Sequence, residues 1–273
     1  MTVFEDLESL AKRVVDGSLV AIAPDYSWVP MALVRELIKR KTREISLLTV
    51  PISGMAADML IGAGVVHKIE TAAVTLGEVG LAPRFTDAIE SGSLSVFDST
   101  CPAIHTALQA SEKGVPFMPL SGLIGSDIVR NRDDWIVIED PFGQGGSPVV
   151  LLPAIQPDVA LFHSPRADKN GNVWIGRRRE LMTMAHASKE VLVTVEEIQD
   201  LDFLEDEKLA AGTLPEMYVS SIAISKRGAW PQALSGCYER DLDHIRTYAR
   251  LSKTMKGFQS YLSAHVLGSE SDD

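Results

Sequence analysis

The chain has 273 residues, of which 45% are hydrophobic and 23% charged, a balance typical of a globular protein with a sizeable core. Its net charge of −11 argues against binding to nucleic acid, because a phosphate backbone repels such a chain unless a local basic patch compensates. The start carries acids and no apolar signal core, and no window of about eighteen residues is apolar enough to span a bilayer. The sequence therefore predicts a soluble cytoplasmic protein without membrane contact.

The first half of the chain alternates buried strands with helices. Thr2 and Glu5 fit a capping box, which predicts a helix from there to Gly17. The predicted strands that follow are SLVAIA, ISLLTV, KIETAAVTL and SLSVF, and the predicted helices are PMALVRELIKRK, MAADMLIGAG, RFTDAIESG and AIHTALQASEKG. Strands separated by single helices predict an α/β fold with an open, doubly wound, mostly parallel sheet and helices on both faces.

The second half begins with long glycine- and proline-rich connections around two predicted strands, WIVIE and VVLLPAI. The helix RRRELMTMAHASKE, the strands VLVTVEEI and MYVSSIAI and the helix ERDLDHIRTYARL follow. No repeat or linker marks a boundary. Residues 1–265 are therefore predicted to form a single domain, and residues 266–273 an acidic, disordered tail.

The polar stretch Asp168-Lys169-Asn170-Gly171 raises the question of a cation loop. An EF-hand loop requires glycine at its sixth position, whereas counting from Asp168 places Gly171 at the fourth. Asn-Gly is instead a strong turn signal, because both residues tolerate positive φ. The stretch is predicted to join LFHSPRA and NVWIG as two strands with a tight turn.

Motifs for several familiar kinds of site are missing. The sequence has no P-loop and no G-x-S-x-G elbow, and IGAGVVHKIE lacks the third glycine of a dinucleotide-binding loop. The histidines show no ligand spacing, and two cysteines, Cys101 and Cys237, give neither a disulfide framework nor a paired metal site. No metal and no tightly bound cofactor is expected.

One long stretch carries a family resemblance. LLPAIQPDVALFHSPRADKNGNVWI, with its P-D-V-A strand running into an R-A-D-x-x-G-N turn, resembles the α-type subunit of family I coenzyme A transferases. Further blocks agree in order, among them GVPFMPLSGLIGSDI, EDPFG and GAWPQALSGCYERD. The resemblance covers roughly residues 5–250 and is strongest to the glutaconate transferase-like branch, whose α and β chains are separate.

The resemblance implies a chemistry and a partner. Family I enzymes move CoA between carboxylic acids through a glutamyl-CoA thioester, and in two-chain members the glutamate lies on the β chain in an E-[NS]-G-x-x-G setting. This sequence lacks that motif, so no catalytic residue is expected here, and Glu78 is only a secondary candidate. The chain is expected to work with a β-type subunit, as a heterodimer or (αβ)2, with coenzyme A as a substrate alongside a carboxylic acid.

The residues expected to form the wall of the shared site follow the carboxyl ends of the first three predicted strands, where doubly wound sheets bind ligands. They are Asp25, Tyr26, Ser27, Ser53, Gly54, Glu78 and Gly80. Ser53 and Gly54 can offer a hydroxyl and a close-approaching N–H, or can form an ordinary helix cap. Arg177, Arg178 and Arg179 can meet the phosphates of CoA or form a solvated helix face, and His163 is expected to be a satisfied core residue.

The sequence departs from the family in the first loop. Relatives carry a glycine-rich segment just before P-M-A, whereas here Ile22-Ala23-Pro24-Asp25-Tyr26 stands there without glycine. Proline removes an N–H donor, and Asp25 adds negative charge where an oxyanion would form. Two further functions therefore remain open: a CoA-thioester-dependent hydrolase, including a ring-opening type, on the same scaffold, and a non-catalytic scaffold subunit.

Overall fold

The structure is a computed structural model that describes residues 2–143 and 146–268. Its strands are β1 Val3–Glu5, β2 Leu19–Ile22, β3 Ile45–Thr49, β4 Ile52–Ser53, β5 Val66–Thr71, β6 Ala73–Val74, β7 Ser95–Asp98, β8 Phe117–Leu120, β9 Ile136–Glu139, β10 Pro148–Pro153, β11 Val159–Asp168, β12 Val173–Trp174, β13 Glu190–Gln199, β14 Thr213–Leu214 and β15 Ser221–Ile224. Its α-helices are α1 Leu7–Lys12, α2 Met31–Lys39, α3 Met55–Gly62, α4 Pro83–Glu90, α5 Cys101–Glu112, α6 Asp127–Arg130, α7 Arg179–Ala187, α8 Glu207–Ala210, α9 Leu242–Leu251 and α10 Met255–His265. Two 3₁₀ turns span Gly77–Val79 and Glu216–Tyr218.

The main sheet is mostly parallel, as the alternation of strands and helices predicted. Its strands run in the order β1-β15-β13-β11-β2-β3-β5-β7, and each neighbouring pair is parallel. After β2 the chain builds β3, β5 and β7 on one side and later adds β11, β13 and β15 on the other. The order therefore reverses between β2 and β11, which is where an open α/β sheet leaves a crevice for ligands.

Alternation along the strands creates a core on each face of the sheet. Val20 and Ile22 of β2 pack into the cluster under α1, α2, α3 and α4, whereas Ala21 packs into the cluster under α5 and α7. The helices α9 and α10 close the first cluster through Tyr248 and Tyr261. Helices thus cover both faces, which confirms the doubly wound prediction.

The predicted capping box at the start of the chain is wrong. Val3–Glu5 forms β1, which pairs in parallel with β15, and the first helix begins only after Asp6, whose carboxylate accepts the N–H of Ser9 at 2.7 Å. The Thr2 hydroxyl is buried and donates to the carbonyls of Glu216 and Val219 instead of accepting a helix N–H. Distant parts of the chain therefore override the local capping pattern.

The Asn-Gly turn forms as predicted. Ala167 of β11 pairs antiparallel with Val173 of β12, and Gly171 holds φ 97° between them. Its ideal Cβ would lie 2.6 Å from the Thr2 side chain, so only glycine fits there. The turn therefore brings the start of the chain against the end of β11.

The glycine- and proline-rich middle forms a small antiparallel sheet in the order β8-β10-β9, apart from the main sheet. All four residues of β9 are exposed, including Ile136 at 60%. At the other end of the chain Val266 is buried in the first core cluster, and residues 269–273 of the predicted acidic tail lie outside the described residues.

Neither a bilayer-spanning helix nor a metal-binding cluster is found in residues 2–143 and 146–268. None of the helices there is long and apolar enough to cross a bilayer. His, Cys, Asp and Glu side chains of the same residues nowhere gather in threes in a way that could hold a metal ion.

Candidate functional site

A cavity of about 340 Å³ lies at the carboxyl ends of β2 and β3 and beside the turn that follows β6. The segment after β15 closes its remaining side. The lining residues are Asp25, Tyr26, Ile52, Ser53, Gly54, Thr75, Leu76, Gly77, Gln232, Ala233, Ser235 and Arg240. The cavity is at the low end of the size range of small-molecule sites, and it lies next to the reversal of strand order.

Asp25 occupies the amino end of α3. Its carboxylate accepts the N–H groups of Gly54 at 3.2 Å and Met55 at 3.1 Å, two donors that the helix itself leaves free. The amide of Gln232 donates a third hydrogen bond, at 2.8 Å. Burial nevertheless raises the pKa of Asp25 to about 6, against the lowering effect of the Met55 and Gly54 N–H groups.

Gln232 connects Asp25 to the one cationic side chain among the cavity's described lining residues. Gln232 is 2% exposed, and its amide oxygen accepts Nε of Arg240 at 3.0 Å. The other face of the Arg240 guanidinium makes long contacts, at 3.4 Å each, with the Glu78 carboxylate and the Leu76 carbonyl. Asp25, Gln232 and Arg240 thus form a hydrogen-bonded chain along one wall.

Four of the residues predicted for the site wall line the cavity: Asp25, Tyr26, Ser53 and Gly54. Tyr26 is 60% exposed, whereas Ser53 is buried and its hydroxyl accepts the N–H of Ala57 at 3.4 Å inside α3. Gly54 caps α3, the second of the two alternatives, and its N–H is taken by the Asp25 carboxylate instead of being open to a ligand.

The other three predicted wall residues lie around this cavity without lining it. Ser27 is buried and donates to the Glu180 carboxylate on α7. Glu78 lies at the rim, in contact with Arg240. Gly80 ends the 3₁₀ turn with φ 122°, and its carbonyl accepts the Leu76 N–H at 3.0 Å. Glu78 and Gly80 therefore shape the turn that borders the cavity.

Sequence reasoning missed Gln232 and Arg240. Both belong to the block GAWPQALSGCYERD, which carried a resemblance but no assigned role. They lie eight or more residues beyond β15, in a segment without helix or strand, so no periodicity pointed to their position. The one sequence feature that could have indicated this position is a polar residue, Gln232, within the otherwise apolar stretch GAWPQAL.

The wall segment after β15 is fixed to the core by a buried pair. His163 is fully buried, with Nδ1 2.8 Å from the Thr194 hydroxyl and Nε2 3.0 Å from the Glu196 carboxylate. Glu196 also accepts the N–H of Arg227 and the hydroxyl of Tyr238, at 2.9 and 3.0 Å. Burial raises the pKa of Glu196, but these bonds, led by that from His163, outweigh it and lower the pKa to about 2. His163 is the satisfied core residue that was expected.

A second cavity of about 510 Å³ adjoins the first at Ser235, which lines both. Arg166 and Lys226 contribute its positive charges, and Arg166 lies 4.7 Å over the ring of Trp174. Of the three consecutive arginines, Arg178 turns toward this region and donates to the Ser235 hydroxyl at 3.1 Å. The two cavities are therefore neighbouring parts of one surface, joined at Ser235.

The first cavity can bind and orient an anionic ligand but offers no unengaged carboxylate among its described residues. The carboxylate of Asp25 is engaged by three donors, and the carboxylate of Glu78 lies outside the lining and contacts Arg240. Tyr26 and Ser53 contribute hydroxyl groups. The described residues therefore form one side of a ligand-binding site and not a complete catalytic centre.

The family model described as Coenzyme A transferase matches residues 4–225. The chain is 27% identical to the A subunit of 3-oxoadipate CoA-transferase from Pseudomonas knackmussii, over 96% of this chain and 93% of that protein. It superimposes on the crystal structure of glutaconate coenzyme A-transferase from Acidaminococcus fermentans with a TM-score of 0.87 and 26% identity, covering 97% of this chain and 89% of that one.

Two further relatives differ in chemistry or length. The chain is 26% identical to the cholesterol ring-cleaving hydrolase IpdA subunit of Rhodococcus jostii, over 89% of this chain and 84% of that protein. It is 30% identical, over 96% of its own residues, to a protein of Archaeoglobus fulgidus but spans only 58% of that protein's length. Similar chains are therefore found in proteins named as transferases and as hydrolases, and as part of a longer polypeptide.

Proposed function

Because this chain belongs to the coenzyme A transferase family and is built as its A-type subunit, we propose that it works in a two-chain enzyme with a β-type subunit. The complex, a heterodimer or (αβ)2, moves CoA from an acyl-CoA to a carboxylic acid. This chain binds and orients the acyl or acid group at the Asp25–Arg240 wall, and the partner supplies the reacting glutamate.

The proposed steps balance without a cofactor. The partner's glutamate carboxylate attacks the thioester carbonyl, and the CoA thiolate leaves as a mixed anhydride forms. The thiolate then attacks the glutamyl carbonyl of the anhydride, which releases the first acid and leaves a glutamyl-CoA thioester. The acceptor carboxylate reverses both steps, so CoA departs on the new acid and the glutamate is restored.

The observation that carries the proposal is a cavity at the switch point where the two nearby carboxylates, those of Asp25 and Glu78, are both hydrogen-bonded within the chain. An acyl-transfer centre needs a free nucleophile, and the Asp25 carboxylate already accepts three hydrogen bonds. Glu78 contacts Arg240 from the rim. A nucleophile brought by a second chain completes the site, which agrees with the printed names of relatives that are A-type subunits.

Coenzyme A is the shared substrate that the family membership supports. In the neighbouring cavity Arg166 and Lys226 can each contact a phosphate group, but Glu196 and Glu197 line the same cavity and offset their charge. Both cysteines are exposed free thiols, which suits a reducing compartment such as the cytoplasm. We propose no tightly bound cofactor beyond this substrate.

We also propose that residues 1–265 act as one domain. The packing of α9 and α10 into the core cluster beneath α1 to α4 supports this, since the two ends of the chain then share one core. A single protected core predicts one cooperative unfolding transition, measured by circular dichroism and by tryptophan fluorescence on the same sample. Two separated transitions would contradict it.

The main experiment locates the reacting glutamate. The complex with its β-type subunit is incubated with an acyl-CoA and reduced with borohydride, which converts a glutamyl thioester to a stable alcohol. Peptide mass mapping is expected to find the change in the partner chain, both in the wild type and in Glu78→Gln. A modified glutamate in this chain, at Glu78 or elsewhere, would overturn the division of labour.

A CoA-thioester hydrolase, including a ring-opening type, is the second candidate. The relative from Rhodococcus jostii is named a cholesterol ring-cleaving hydrolase subunit, and Asp25 stands where the sequence resemblance places a glycine-rich loop. Burial raises the pKa of the Asp25 carboxyl to about 6, which is closer to neutral pH than its ordinary value and so nearer to what a general base requires. Product formed from an acyl-CoA without any acceptor acid distinguishes hydrolysis from transfer, and a strict requirement for the acid contradicts it.

A further inference from the structure

Acyl transfer at this cavity needs hydrogen-bond donors that the helix α3 does not leave free. Addition of a nucleophile turns the reacting carbonyl oxygen into an oxyanion, which preorganised donors stabilise, and the amino end of a helix commonly supplies them. Here the N–H groups of Gly54 and Met55 are accepted by the Asp25 carboxylate, at 3.2 and 3.1 Å. Asp25 therefore occupies the place where the helix end would otherwise receive an anion, and the oxyanion needs a donor from elsewhere.

Tyr26 carries such a donor. Four of the described residues that line the cavity have a hydroxyl group, and three of these hydroxyls are bonded within the chain. The bonded pairs are Ser53 with Ala57, Thr75 with Gly80, and Ser235 with Arg178. No hydrogen bond is found for the Tyr26 hydroxyl among the described residues, and Tyr26 is 60% exposed. A ligand in the cavity can therefore reach this hydroxyl directly.

The Tyr26 hydroxyl keeps its proton at neutral pH. Burial raises the pKa of Tyr26 above its ordinary value of 10.0, and the Glu180 carboxylate and the Cys101 thiol add to the rise. A neutral phenol donates one hydrogen bond. Under the conditions of the proposed reaction the group is therefore a donor and not a base.

The loop that presents Tyr26 has a strained backbone. Trp28, two residues further along the chain, is buried and holds φ 65°, in the left-handed region. This region is unfavourable for a bulky residue, persists only where the surrounding structure fixes it, and is found preferentially at functional sites. The shape of the loop is therefore imposed by its neighbours.

The start of α7 supplies those neighbours. The central carbon of the Arg178 guanidinium lies 3.5 Å from the centre of the Trp28 ring. The Ser27 hydroxyl donates to the Glu180 carboxylate. Because Ser27 follows Tyr26 directly, the bond to Glu180 restricts where the Tyr26 side chain can lie before any ligand arrives.

We propose that Tyr26 is a catalytic residue whose hydroxyl donates a hydrogen bond to the carbonyl oxygen of the reacting acyl group, and that Glu180 is its positioning residue. The proposal rests on the proposed function, because it adds a group to the same acyl-transfer reaction. When the partner's carboxylate adds to the thioester carbonyl, the π electrons of the C=O bond move onto the oxygen, and the hydrogen bond stabilises that charge. The proton stays on Tyr26, and the C=O bond forms again as the thiolate leaves.

Tyr26→Phe in the complex with the β-type subunit tests the catalytic role, because it keeps the ring and removes the hydroxyl. The kcat of CoA transfer is expected to fall about a hundredfold, as for loss of one oxyanion donor, with KM for the acyl-CoA within about twofold of wild type. The urea midpoint is expected to stay unchanged. Tyr218→Phe is the matched control: Tyr218 is also exposed but lies in the turn Glu216–Tyr218, outside the lining of the cavity, and its variant is expected to keep wild-type kcat and KM.

The positioning role is tested by comparing Glu180→Ala with Glu180→Gln. Glutamine retains an oxygen that accepts the Ser27 hydroxyl, whereas alanine does not, so Glu180→Ala is expected to lower kcat about tenfold and Glu180→Gln to keep it within about twofold of wild type. The double variant of Tyr26→Phe and Glu180→Ala is expected to match Tyr26→Phe alone, since a positioning residue has no effect once the group that it positions is gone.

The outcomes separate the inference from the proposed function. An unchanged kcat in Tyr26→Phe, with or without a raised KM, overturns the catalytic role, while CoA transfer by the wild type leaves the proposed function standing. Equal effects of Glu180→Ala with and without the Tyr26 hydroxyl overturn the positioning role.

If the wild-type complex transfers no CoA, the proposed function fails. The same variants are then compared in hydrolysis of the acyl-CoA, which passes through the same oxyanion. A lower rate in Tyr26→Phe supports the inference there, and an equal rate, or no hydrolysis by the wild type, overturns it.

Discussion

Two aspartates, Asp168 and Asp25, stand at the carboxyl ends of neighbouring parallel strands and collect N–H donors, yet they do different things. Asp168 is fully buried at the end of β11. Asp25 follows β2 and lines a cavity. The same side chain with the same kind of partner is thus a closed structural element in one place and part of a ligand-binding wall in the other.

The difference lies in where the donors come from and what remains open. Asp168 receives the N–H groups of Asn170, Asn172 and Phe203 and the side-chain amide of Asn172, so the turn folds around it. Asp25 instead accepts hydrogen bonds from the amino end of α3 and from the Gln232 amide. Gln232 in turn accepts Nε of Arg240 and so fixes the orientation of its guanidinium. A carboxylate enclosed by its own turn stabilises the fold. A carboxylate linked to a cation in a cavity orients that cation toward a ligand.

The largest expected effect is on stability, from Asp168→Asn. The new amide would face two donors, the Asn172 side chain and the Phe203 N–H, and Asn172 cannot flip because its oxygen holds the Glu216 N–H at 2.8 Å. Two unsatisfied buried donors cost about 1–3 kcal/mol each, so the free energy of unfolding is expected to fall by about 4 kcal/mol in urea titrations.

Asp200→Asn is the matched control for that change. Asp200 lies close by but is exposed and paired with the exposed Lys169, so its substitution is expected to leave the free energy of unfolding nearly unchanged. Equal losses in the two variants would mean that the enclosed turn is no more important than a surface ion pair.

Gly54→Ala is expected to have the next largest effect, at the open aspartate. An added Cβ would lie 2.5 Å from Oδ2 of Asp25 and 2.6 Å from the Thr75 carbonyl, so either the carboxylate or the backbone must move. Overpacking of this kind costs about 1–3 kcal/mol, and it would also displace Asp25 from α3. Unfolding titrations and the kcat of CoA transfer, measured on the same variant, report both consequences.

Gly122→Ala provides the comparison, because nothing lies within 4 Å of its ideal Cβ and its φ is not positive. It should change neither stability nor the kcat of CoA transfer appreciably. A Gly54→Ala complex that behaves like Gly122→Ala would show that Asp25 does not depend on close approach to α3.

The two aspartates also show what the sequence can and cannot predict. The turn at Asp168 and the parallel alternation were predictable because strand period and Asn-Gly turns are local signals. Asp25 and Ser53 were found because the ends of parallel strands meet at one edge. Arg240 was missed because it reaches that edge through a long segment without periodicity, and the Thr2–Glu5 capping box failed because β1 pairs with a distant strand.

The smallest expected effect is that of Asp25→Asn, and its signature is pH dependence. Asn can keep the bonds from Met55 and Gln232 through its oxygen and loses only the long one from Gly54, at 3.2 Å, so stability at pH 7 is expected to stay within about 1 kcal/mol of wild type.

In wild type, burial raises the pKa of Asp25 from 3.8 to about 6, so the folded protein binds a proton that the unfolded chain at that pH does not. Stability from this group therefore rises as pH falls from about 7 to about 4, and Asp25→Asn lacks that rise. Urea titrations at pH 7, 6 and 5 compare the slopes of the two proteins, and their difference isolates Asp25, because other groups with shifted pKa values, such as Asp58 and His244, are present in both. If stability changes with pH equally in wild type and Asp25→Asn, Asp25 does not bind a proton in the folded protein over this pH range. The two aspartates would then differ only in the link of Asp25 to Arg240.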